Sequence, residues 1–138
     1  MKFLDANIFI YAYYKPKRKL NEKEKSMKKN SQDIIRKINN GEEVLTSIVH
    51  LSEVSNILKK VMKLEDLQIL LISLYSKPNI TIIDVTKDDY LLAIDLIQDT
   101  QLDPNDCLAL ILMEREKIKE IYSYDSGFEK IKDIRRLP

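Results

Sequence analysis

The chain has 138 residues, and 23 Lys and Arg against 22 Asp and Glu leave a net charge of +1. That length suits a single domain, 1–138, with a core of its own, and the balanced charge singles out no class of partner. One His excludes a histidine-pair acid–base mechanism, one Cys excludes an intrachain disulfide and suits a reducing, cytoplasmic setting, and two Gly exclude a glycine-rich phosphate cradle.

Phe3-Leu4 reads as a buried strand over residues 1–5, turning directly into a helix from Ala6. Pro16 stops that helix. Residues 15–37 carry ten basic and three acidic side chains, net +7. This Lys-rich stretch is either a solvated helix and loop or a patch for a polyanion such as RNA. Ile34, Ile35 and Ile38 mark a helix face, and Gly41 stands where a C-terminal glycine belongs. Val44-Leu45 is a short strand. Ser47 then caps a helix whose apolar positions run Ile48, Leu51, Val54, Ile57, Leu58 and Val61. Another helix spans Glu65 to Ser76, and Pro78 separates it from a strand at Ile80–Ile83.

Thr86 and Asp89 have capping-box spacing and open a helix to Gln98. Asp103-Pro104-Asn105-Asp106 opens the next, with Asp103 as N-cap, Pro104 at N1 and Asp106 at N3. Ile121–Ser123 is the last strand, and Ser126-Gly127-Phe128 turns into a short helical piece. Short apolar strands alternating with helices predict an α/β fold with a parallel sheet covered on both faces. The longest uncharged run, Leu67 to Ser76, has ten residues, against about 20 for a membrane span, so no membrane association is expected.

In open parallel sheets, ligands bind beyond the carboxyl ends of the strands. Asp5 and Asp125 follow strands, Asp106 opens a helix, and Glu53 flanks the core face of the helix after Ser47. Each has a plainer role available: Asp106 favours the helix dipole, Asp125 suits a turn, and Glu53 fits an exposed helix position. Asp5 is the hardest to explain that way. A carboxylate between Phe3-Leu4 and Ile8-Phe9-Ile10 costs several kcal/mol unless a cation or hydrogen-bond donors satisfy it.

Phe3-Leu4-Asp5-Ala6-Asn7-Ile8-Phe9-Ile10-Tyr11-Ala12 resembles the opening of a PIN domain, the nuclease fold of VapC-type toxins. Thr46 to Val54, Leu102 to Leu110 and Tyr122 to Phe128 resemble the family's second, third and fourth motifs. The resemblance implies a three-layer α/β/α domain with a short central parallel sheet. It further implies an acidic pocket of Asp5, Glu53, Asp106 and Asp125, with Asp5 and Asp106 as metal ligands. Asn7, Ser47 and Ser123 match supporting polar positions. Cys107 stands where the family more often has Ala.

Oxygen-only ligands select Mg²⁺ or Mn²⁺. The implied reaction is metal-dependent hydrolysis of an RNA phosphodiester by water, leaving 5′-phosphate and 3′-hydroxyl ends. It needs no histidine, and His50 reads as structural. The resemblance also implies a homodimer and a cognate antitoxin, to whose interface Tyr11, Tyr13 and Tyr14 would belong unless they are ordinary core and boundary aromatics. Two other readings stand beside it. One is a non-catalytic PIN-like RNA-binding module. The other is a haloacid dehalogenase-type phosphohydrolase with Asp5 as nucleophile, against which Asn7 occupies the place of that family's second acid.

Overall fold

Phe3 and Leu4 face opposite sides of one strand, and that alternation organises the molecule. The computed structural model describes residues 1–138. Its elements run β1 (Lys2–Leu4), α1 (Ala6–Tyr13), α2 (Glu22–Asn39), β2 (Val44–Ser47), α3 (Ile48–Leu58), α4 (Leu64–Ser76), β3 (Ile80–Ile83), α5 (Lys87–Asp95), α6 (Ile97–Thr100), α7 (Pro104–Arg115), β4 (Glu120–Tyr122) and β5 (Arg135–Leu137), with a 3₁₀ turn at Ser126–Lys130 before β5. The five strands form one sheet in the order β3-β2-β1-β4-β5. Every pairing is parallel.

Leu4, Val44, Ile80 and Tyr122 join side chains of α1, α2, α3 and α4 in one buried cluster. Phe3, Leu45 and Ile121 join α5, α7 and Phe128 in a second. Two cores on two sheet faces make the three-layer α/β/α architecture. Burial on both sides explains strands that are apolar throughout, and each fully buried Leu or Phe contributes about 1.5–3 kcal/mol.

Several ends differ from the expected ones for local reasons. β1 stops at Leu4 because Asp5 turns away to cap α1 through the Ala6 N–H. β2 continues to Ser47, whose hydroxyl caps α3. α3 ends at Leu58, short of Val61, which closes a turn back onto the Leu58 carbonyl. The helix opened by Thr86 and Asp89 breaks after Asp95, and α6 ends at Gln101 with a left-handed φ of 57°. β4 lies one residue earlier than expected, so Ser123 falls beyond the strand. β5 was not expected. Its Arg135-Arg136-Leu137 offers no apolar run, and as an edge strand it needs none.

Much of the Lys-rich stretch is helical. α2 starts at an Asn21–Glu24 capping box, and Gly41 ends its C-terminal turn at φ 108°. No helix is long and apolar enough to cross a membrane.

Candidate active site

At the carboxyl edge of β1, Asp5 is only 4% exposed. Its two oxygens are both engaged. Oδ1 accepts the Ala6 N–H at 2.7 Å, and Oδ2 accepts the Ser123 hydroxyl at 2.6 Å. Burial pushes the carboxyl up to about 6, which the Ser123 and Ala6 hydrogen bonds oppose, while the charges of Glu53 and Asp125 add to the rise.

Ser123 joins three of the expected positions. Its oxygen also accepts from Asn7 Nδ2 at 3.3 Å and from the Asp125 N–H at 3.0 Å. Asn7 in turn accepts the Tyr124 N–H through Oδ1 at 3.3 Å. The start of α1 and the segment after β4 are thereby laced together. Asp125 is steadied by its own turn, its Oδ1 accepting the Gly127 N–H at 2.8 Å.

Asp106 comes from the other side of the sheet. Asp103 caps α7 by accepting the Asp106 N–H at 2.9 Å, and Pro104 sits at the first helical position. Asp106 is buried, and burial, a hydrogen bond to the Asp125 carboxyl and the charges of Asp5, Asp103 and Asp125 all raise its pKa. Asp125 is held below its ordinary value, first by that same hydrogen bond.

Glu53 stands at the margin, half-buried on α3. Asn105 Nδ2 donates to its Oε1 at 3.4 Å. Burial raises its pKa, the Asn105 contact lowers it, and the charge of Asp103 adds to the rise. Ser47 is buried, and its hydroxyl is taken up within α3. It accepts the His50 N–H at 3.2 Å and lies 2.7 Å from His50 Nδ1. His50 is fully buried, and its Nε2 has no hydrogen-bond partner. Cys107 is buried, with its thiol against Thr100 and the Leu102 carbonyl.

Sequence reasoning missed Asn105 and Tyr90. The Tyr90 hydroxyl donates to Asn105 Oδ1 at 2.7 Å, so a side chain on α5 orients the amide that holds Glu53. The only sequence signal was Asn105's place between the cap and Asp106.

Four acids from four elements thus act on one another's ionisation through a chain of pairs. Their donor atoms are all oxygen, and three of the four have raised pKa values. A hard divalent cation relieves that repulsion. No group of three or more acidic, His or Cys side chains is gathered closely enough to hold a metal ion by itself. Their oxygen donors suit a hard divalent cation of the kind held by one or two carboxylates together with waters and substrate phosphate.

A model of the PIN domain matches residues 2–134. Among solved structures, the chain is similar to Mycobacterium tuberculosis VapC20, a sarcin-ricin loop cleaving toxin, at 15% identity and a TM-score of 0.72, over 98% of this chain and 99% of that one. It is similar to VapBC2 from Rickettsia felis bound to a promoter DNA fragment, at 17% identity and a TM-score of 0.66, over 99% and 96% of the two chains. A toxin–antitoxin complex from Klebsiella pneumoniae matches at 16% identity and a TM-score of 0.66, over 97% and 95%. No protein of curated function matches the sequence.

Proposed function

The chain belongs to the PIN domain family, and on that premise we propose that it is a metal-dependent endoribonuclease, the VapC-type toxin of a toxin–antitoxin pair. The observation that supports this reading is the set of acids at the carboxyl edge of the sheet, where the Ser123 hydroxyl joins Asp5 to the Asp125 N–H and the Asp103 cap presents Asp106. Asp5 and Asp106 would hold Mg²⁺ or Mn²⁺. A bound ion polarises a phosphoryl oxygen and lowers the pKa of an attacking water.

The rest is the work of the chain's own side chains. Ser123 and the Ala6 N–H fix the Asp5 carboxylate, and Asn7 fixes Ser123. Asp125, steadied by the Gly127 N–H, would accept a proton from water. Glu53, kept at the margin by Asn105, is suited to orient that water or the substrate.

The whole chain, 1–138, works as one cytoplasmic unit in this reading. A homodimer suits the apolar side chains left exposed on two helices that flank the edge strand β3: Ile69, Ile72 and Tyr75 on α4, and Leu91, Leu92 and Ile94 on α5. An antitoxin partner is supported by the Rickettsia and Klebsiella complexes, whose chains share this fold.

The test is direct. The purified chain with Mn²⁺ should cut single-stranded RNA to products ending in 3′-hydroxyl, excess EDTA should stop it, and Asp5→Asn should be inert while folded. RNA that is bound yet stays intact in Mn²⁺ would instead mark a non-catalytic PIN-like module.

A further inference from the structure

One cavity lies away from the four acids. It is a groove of about 1170 Å³ where the end of α1, the following loop, α2 and the α3–α4 connection meet. Six cations line it, namely Lys15, Lys17, Lys28, Arg36, Lys60 and Lys63, against the single acid Asp66. Arg36 is paired with Asp33 at 2.7 Å, and Lys28 donates to the Tyr14 carbonyl at 3.0 Å. Lys15, Lys17, Lys60 and Lys63 make no ion pair with any carboxylate.

Four of these cations belong to the Lys-rich stretch, and the fold brings Lys60 and Lys63 of the α3–α4 connection to them. Lys28 has its pKa lowered by partial burial and by the neighbouring charge of Lys15. Cations brought together without counter-charges are suited to an anion.

The groove opens onto a second cavity. An adjoining cavity of about 470 Å³ shares Tyr14, Lys28 and Lys60 with it and reaches Tyr11. The Tyr11 ring packs edge-to-face on Tyr124 at 5.3 Å, and Tyr124 directly precedes Asp125. α1 runs from its cap at Asp5 to Tyr13 over about 12 Å. Concave surface thus continues from the lysines to Tyr14 and Tyr11.

We propose that this groove carries a single-stranded stretch of the RNA away from the scissile phosphate, with Lys15, Lys17, Lys60 and Lys63 on its phosphates and Tyr14 as a stacking platform for a base. The assignment rests on the nuclease reading above. Single strands are held in this way by basic channels with aromatic side chains. The combination favours RNA over an acidic protein segment, which would use the lysines but has no base to stack on Tyr14.

The experiment measures binding without cleavage. A fluorescein-labelled 12-nucleotide single-stranded RNA is titrated with the full chain in EDTA, at several salt concentrations. Lys15→Glu/Lys60→Glu/Lys63→Glu should weaken binding at least tenfold. It should also flatten the dependence of log K on log salt by about 2, since each contact to a single strand accounts for about 0.7. Tyr14→Ala should weaken binding about fivefold or more, and Tyr14→Phe should restore it. All three sites are at the surface, and unchanged unfolding midpoints show that the variants are folded.

Unchanged affinity and salt slope in the triple variant overturn the proposal. So does equal competition by a polyglutamate peptide together with no effect of Tyr14→Ala, which would assign the groove to an acidic protein segment. The nuclease reading fails separately. A chain that binds RNA through this groove but does not cut it in Mn²⁺ loses the activity and keeps the groove, whereas cutting with unaltered binding in the triple variant does the reverse.

Discussion

The Ser123 hydroxyl donates to Asp5 Oδ2 at 2.6 Å across 118 residues of chain, and its oxygen takes the Asp125 N–H at 3.0 Å. One small side chain thus uses its proton on one acid and its lone pair on the backbone of another. Ser123→Ala should leave Asp5 less able to ionise and lower RNA cleavage about 10–100-fold, the usual cost of losing a group that orients a ligand. The acid limb of the pH profile should move to higher pH, and Ser123→Thr should restore most activity. Wild-type rates across the pH range in Ser123→Ala would remove this ordering role.

Asp5 bears on stability as well. Its pKa is raised from 3.8 to about 6. A raised folded-state value means that the stabilisation is full below about pH 4 and is lost as pH climbs through 6. At pH 7 without metal, the ionised carboxylate therefore costs about 3 kcal/mol. Asp5→Asn keeps an acceptor for the Ala6 N–H and carries no charge, so it should be more stable than wild type in urea at pH 7 with EDTA, by up to about that amount. Mn²⁺ should stabilise the wild type and do little for Asp5→Asn. Equal stability of the two chains in EDTA would mean that the buried charge is already satisfied by its hydrogen bonds.

His50 tilts stability the other way. Burial lowers its pKa from 6.5 to about 4. The folded protein therefore resists a proton that the unfolded chain accepts. Stability from this group is present above pH 6.5 and drains away as pH falls toward 4, by about 3 kcal/mol in full. His50→Gln should show a flatter loss between pH 6.5 and 4.5 in denaturant titrations, whatever its cost at pH 7. A slope as steep as wild type would place acid sensitivity elsewhere.

How much of this could be read beforehand depended on whether the cause was local. Capping is local, so Ser47, Thr86 and Asp103 announced their helices correctly. Asp5 stood out because a lone carboxylate amid Phe3, Leu4 and Ile8 needs an explanation. β5 was hidden because an edge strand with one face to solvent needs no apolar run. The break after Asp95 was hidden because nothing in Leu96-Ile97-Gln98 forbids a helix. The Tyr90–Asn105–Glu53 link joins three helices, and no spacing rule reaches that far. The basic groove was half legible: the charge of residues 15–37 was plain, but Lys60 and Lys63 join it only through the packing of α3 and α4.

Gly127 separates a requirement of the site from one of the fold. A Cβ there would collide with the Leu102 side chain and lie 3.0 Å from Asp125 Oδ1, the oxygen that already accepts the Gly127 N–H. Phe128 is buried behind it and anchors the turn. The displacement must therefore be taken up by Leu102, which precedes the Asp103 cap, or by Asp125 itself. Gly127→Ala should cost about 1–3 kcal/mol through overpacking and lower cleavage per folded molecule. Gly41→Ala is the contrast. Gly41 has open space around it but a φ of +108°, so its Ala variant should lose about 1 kcal/mol through backbone strain with cleavage per folded molecule unchanged. Measured together by urea unfolding and by rate at saturating RNA, the pair isolates Asp125's position from stability. If both variants lost cleavage only in proportion to the fraction unfolded, the Gly127 turn would be serving the fold and not the acid.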